Sequence, residues 1–152
     1  MVGTWIDQDE NARIETTCQW TKNRNFLTRT FTVEVEGKIE LEGTQVIGYD
    51  AANDQIRSWL FDTDGGFGEA TWSRDADRWL IKNAQTMRDG RRASSINIVT
   101  YIDDDTCTWE STGREIDGEM QPNVDPVRVV RQTDSALPVE TVSTGSLSSP
   151  QN

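Results

Sequence analysis

The chain has 152 residues, carries 26 acidic against 15 basic side chains for a formal charge of −11, and contains six tryptophans and no histidine. That length suits one domain with a core that needs no disulfide staples, and the negative charge repels phosphate backbones and anionic headgroups, so neither nucleic acid nor a membrane surface is an expected partner. The lack of histidine removes Ser-His-Asp and Cys-His catalysis together with the usual zinc and haem ligand, and no metal or cofactor is expected.

In chain order, Met1-Val2-Gly3-Thr4-Trp5 runs straight into patterned sequence with neither a basic leader nor an apolar stretch behind it, and no segment holds the ~18 consecutive apolar residues of a membrane span. A cytoplasmic chain is the expectation. Arg13 to Trp20 alternates, with Ile14, Thr16, Cys18 and Trp20 on one face. Leu27, Arg29, Phe31, Val33 and Val35 form a second such face, and Ile39 to Ile47 a third. β-Branched and aromatic residues at period two mark half-buried strands. Between the runs stand turn clusters: Lys22 to Asn25, Glu36-Gly37-Lys38, Asp50 to Asp54, Asp62 to Gly66, Arg74 to Asp77, Arg88-Asp89-Gly90 and Asp103 to Asp105. Gly supplies positive φ and Asn or Asp tolerates it, so each cluster reads as a hairpin connection. No stretch sustains a helical face.

Residues 3–132 therefore predict an all-β fold, an up-and-down antiparallel meander of about nine or ten strands that hides its edges by closing into a barrel. A two-sheet sandwich is the competing architecture, disfavoured because every connection is short enough for a hairpin. The domain is assigned to 1–132. From Thr133 to Asn152 the sequence is rich in Ser, Thr and Pro, lacks Lys and Arg, and shows no alternation, which predicts a disordered tail.

Two features invite chemistry and read more simply as structure. Cys18 and Cys107 are distant in sequence, and each reads as a small buried apolar residue rather than half of a disulfide. Asp62-Thr63-Asp64-Gly65-Gly66 resembles the start of a calcium loop, but position twelve is Ser73 where a bidentate Glu belongs, leaving a tight acidic turn. Asp103-Asp104-Asp105 reads the same way.

Gly3-Thr4-Trp5 at the head of an all-β meander resembles the opening signature of lipocalins and other calycin barrels. Asn25-Phe26-Leu27, Glu42 to Asp50 and Ser58 to Gly68 add to a likeness with uncharacterised bacterial lipocalin-like domains, some of them fused after SnoaL-like domains of the SgcJ/EcaC type. The resemblance spans about residues 3–132. It implies a Trp5 that closes one end of the barrel beneath an arginine of the last strand, Arg128 or Arg131. It implies no established activity. It also implies a partner domain in a longer parent protein as one setting for the chain. The family's haem-binding branch uses a histidine that this chain lacks, and nothing in the spacing of Tyr49, Tyr101, Met87 or the cysteines replaces it.

Charged and amide residues within the strands are the candidate ligand contacts. Arg29, Trp59, Glu69, Asn97, Trp109 and Arg114 are the expected lining of an interior site for a small apolar or amphipathic ligand, in a barrel that binds rather than catalyses. Trp20, Trp59, Trp72, Trp79 and Trp109 supply core or cavity bulk. The rival readings are a cyclase or isomerase that works through a buried carboxylate, with Glu15, Glu69 or Glu110 as its acid or base, and an accessory domain that packs on a catalytic partner. Alternation alone leaves open which strand faces point inward.

Overall fold

The computed structural model describes residues 1–8 and 11–133. Eleven strands occur among them: β1 (Gly3–Gln8), β2 (Ala12–Trp20), β3 (Phe26–Val35), β4 (Lys38–Asp50), β5 (Gln55–Asp62), β6 (Phe67–Asp75), β7 (Arg78–Thr86), β8 (Arg92–Asp103), β9 (Thr106–Ile116), β10 (Glu119–Met120) and β11 (Val124–Arg131). The described residues contain no helix, and so none long and apolar enough to cross a membrane. The tail expected over 133–152 lies, from 134 onward, outside the described residues.

Each strand from β1 to β9 pairs antiparallel with the next, and β11 pairs with both β9 and β1. The sheet closes on itself. β10 occupies the same edge of β9 as β11, so the two are one tenth strand broken at Gln121-Pro122-Asn123. Proline lacks the N–H a ladder needs, and the second proline of this strand, Pro126, falls where the register shifts between Val124 and Val127. The structure is thus the ten-stranded antiparallel barrel that the hairpin rhythm predicts, rather than a sandwich.

Local chemistry explains the turns. Val35 pairs with Lys38 around Glu36 and Gly37, at φ 50° and 76°. Ile116 pairs with Glu119 around Asp117 and Gly118, at 48° and 84°. Two consecutive positive φ values make the tight two-residue turn whose twist matches that of the flanking strands.

Closure settles the faces. Leu27, Ile47, Ala70, Trp72 and Ile81 are buried inside with Cys18, and Ile56, Trp79 and Val99 pack against them. Trp72 meets Trp79 edge-on, with ring centroids 6.2 Å apart and planes at 68°. Such a pair contributes about 1 kcal/mol beyond the area it buries. The aromatic ring of Phe31 lies across Gly43 on the neighbouring strand, where a Cβ would collide with it. The outer face carries Thr17, Thr28, Thr30, Glu42, Arg57 and Glu69. Trp20, expected to add interior bulk, is 46% exposed at the end of β2, with Arg24 over its ring.

Candidate functional site

The first strand is locked to the last by the Gly-x-Trp motif. Trp5 stands opposite Arg131 in the β1–β11 ladder, and the Arg131 guanidinium lies 4.3 Å from the indole centroid. Of the two arginines considered, Arg131 makes the stack. Gly3, at φ +117°, leaves space for it: a Cβ there would collide with Arg131 Nη1. The same guanidinium donates to the carbonyl oxygens of Val2 and Asp104 and to the Asp105 carboxylate. One side chain thereby ties the chain start, the β8–β9 turn and β11 together at one end of the barrel.

Deeper inside, a polar chain crosses five strands. Arg29 donates to Thr16 Oγ1 and to Gln45 Oε1, both at 3.3 Å. Gln45 Nε2 donates to Ser58 Oγ at 3.0 Å, and Trp72 Nε1 donates to the same oxygen at 2.9 Å. Ser58, only 1% exposed, is the hub, and a buried hub must satisfy every donor aimed at it. No buried side-chain nitrogen or oxygen among the described residues lacks a partner.

Beside this network the interior keeps a cavity of about 330 Å³, at the small end of the range for small-molecule sites. Trp5, Trp72, Trp79, Trp109, Ile81 and Val99 supply its apolar wall, and Thr16, Arg29, Gln45, Asn83 and Asn97 its polar points. Met1, Tyr101, Asp104 and Arg131 border it at the Trp5 end. Arg29, part-buried, lines the cavity from inside the barrel; desolvation pulls its pKa down, because the charged form has lost water. Cys18 and Cys107 are free thiols on the same wall. Burial pushes both up from 9.0, partly offset at Cys18 by the positive charge of Arg29.

Three of the six residues expected to line the site, Arg29, Asn97 and Trp109, meet in this cavity. The others stand elsewhere. Trp59 and Glu69 face each other across the outer side of β5 and β6, where Arg57 lies over the Trp59 ring and pairs with Glu69 at 2.7 Å and Asp50 at 3.4 Å. They border a separate depression with Phe61 and Phe67. Arg114 borders a smaller pocket of about 220 Å³ and donates to the Pro122 carbonyl at 2.7 Å, bracing the break in the tenth strand.

Glu15, Glu69 and Glu110, the carboxylates considered for acid–base work, all stand on the outer face, and Glu15 pairs with Arg13 at 2.7 Å. The Asp62 loop is a turn held by its own carboxylate, whose Oδ1 accepts from the backbone N–H groups of Asp64 and Gly66. Sequence reasoning passed over Gln45 and Ser58, since small polar residues inside a strand look alike on either face. Comparison with protein-family models and with curated protein sequences returned no match for this chain.

Proposed function

We propose that the chain is a non-catalytic barrel that binds one small, partly apolar molecule in its interior. The ten-stranded meander, with Gly3 and Trp5 at its head and Arg131 on its last strand, supports a lipocalin-like architecture. The observation that carries the reading is the indole-walled cavity of about 330 Å³, with its few polar groups already anchored in the wall. A pre-formed apolar space with fixed polar points costs little reorganisation on binding, which leaves more of the contact energy as affinity.

Titration of the intrinsic tryptophan fluorescence with fatty acids, retinoids, steroids and flavonoids tests it. Saturable one-to-one quenching by a member of this panel is expected, weakened in Asn97→Phe, which fills part of the cavity. No saturable response anywhere in the panel, or quenching indifferent to Asn97→Phe, refutes it.

A second reading, an accessory domain that packs on a partner, draws on the outer wall. Phe61 and Phe67 pair across β5 and β6 at 58% and 52% exposure, with Trp59 on the same face. Sedimentation with and without a candidate partner domain separates the readings, since Phe61→Ser abolishes such association and leaves cavity binding intact.

A further inference from the structure

Resting on the reading that the cavity binds a ligand, we infer that this ligand bears one negative charge, a carboxylate on an aromatic or aliphatic body, and that Arg29 receives it. The ion pairs of the barrel show the contrast. Arg13, Arg57, Arg78, Arg91 and Arg131 each lie against a carboxylate. Arg24, Arg74, Arg88, Arg92, Arg114 and Arg128 share with Arg29 the lack of a carboxylate within 4.0 Å among the described residues, but of these seven only Arg29 lines the cavity.

Its partners are neutral and distant: Gln45 and Thr16, each at 3.3 Å, with the Phe31 ring 5.3 Å away. Those two hydrogen bonds use two of the five N–H donors of a guanidinium. An enclosed cation without a counter-charge is expensive, and Arg does not escape the cost by losing its proton near neutral pH. No acidic side chain among the described residues stands beside it. A ligand anion supplies the missing charge.

The charge count narrows the class. Of the other charged groups at the cavity wall, Arg131 is committed to Asp105, Trp5 and three backbone contacts, while the Met1 ammonium and the Asp104 carboxylate, both at the Trp5 end, are opposite in sign. One uncommitted positive charge balances a monoanion, whereas a phosphate monoester would leave excess negative charge enclosed. The planar fork of Arg29 matches a carboxylate, and the indoles of Trp72, Trp79 and Trp109 suit a flat or aliphatic body.

Calorimetric titration of the full chain with matched probes is the test: naphthylacetate against the neutral naphthylacetamide, and dodecanoate against dodecanol and dodecylammonium. At least one acid is expected to bind about ten- to a hundredfold more tightly than its neutral counterpart. Arg29→Gln brings the ratio of acid to neutral affinity to about one; Arg29→Lys, which keeps the charge and loses the fork, retains part of the preference. Neutral probes that bind as well as the acids, or dodecylammonium matching dodecanoate, overturn the role of Arg29 while the cavity reading stands. No binding by any probe overturns this inference, and the cavity reading falls with it when the wider fluorescence panel is silent too. If Arg29→Gln fails to fold, the wild-type acid-to-neutral ratio and Arg29→Lys still decide.

Discussion

Replacing Ser58 with alanine removes one oxygen atom and barely changes volume, yet that oxygen accepts from both Gln45 Nε2 at 3.0 Å and Trp72 Nε1 at 2.9 Å. Both donor residues are themselves buried, at 6% and 7% exposure. Each stranded donor costs about 1–3 kcal/mol, and water from the adjoining cavity recovers part of that, so Ser58→Ala is expected to lose about 2–4 kcal/mol. On a domain of this size that lowers Tm by roughly 10 °C. Urea unfolding followed by tryptophan fluorescence measures it, with Ser73→Ala, exposed on β6, as a control expected to change stability by less than about 0.5 kcal/mol. Trp72→Phe removes one of the donors, so the double variant Ser58→Ala/Trp72→Phe should cost about 1 kcal/mol less than the two single changes together. A Ser58→Ala loss below about 0.5 kcal/mol, or strict additivity in the cycle, refutes the hub.

Three further outcomes are expected. Gly3→Ala forces a Cβ against the Arg131 guanidinium at a backbone conformation that L-residues avoid, and should cost about 1–3 kcal/mol in thermal unfolding; an unchanged Tm contradicts the closure described for Trp5 and Arg131. Because burial raises the Cys18 and Cys107 pKa values in the folded state, their contribution to stability is full below the unfolded thiol pKa and declines as pH rises through the folded values. The urea midpoint should therefore fall above about pH 8.5, and Ellman's reagent should react at least about tenfold more slowly with native than with unfolded protein. Glu69→Gln breaks an ion pair whose carboxylate is more than half exposed and should shift stability by less than about 1 kcal/mol. The same variant should leave cavity binding unaltered, and a change in ligand affinity would bring the outer face into the site.

The candidate site was partly legible beforehand, and a single bulge shows why it was not wholly so. Counting back from the Glu36-Gly37 turn puts Thr44 opposite Arg29. The register shifts between Val33 and Glu34, inserting one residue on β4, and Gln45 arrives there instead. Side chains alternate with period two, so one inserted residue exchanges the inner and outer sets of everything beyond it. The same effect governs Arg114, which together with Gly113, at φ 56°, opposes the single residue Ser95.

What the chain alone determined was local. Alternation built the strands, Gly and Asp placed the hairpins, and the short connections left closure as the way to cover ten strand edges. The resemblance to calycin barrels pointed to Trp5 with Arg128 or Arg131 as the seam, and the strand register selected Arg131. Tertiary structure decided the sign of each face and the company each polar group keeps. Thr16, Arg29, Gln45, Ser58 and Trp72 are 13 to 16 residues apart along the chain and become one hydrogen-bonded path only when successive strands are laid side by side in their actual registers. Trp59 and Trp72 look alike in sequence; closure turned one outward beneath Arg57 and the other inward onto Ser58. The reason is physical: a strand's own pattern is unchanged when it is flipped, and only the global curvature of the sheet distinguishes its concave side from its convex one.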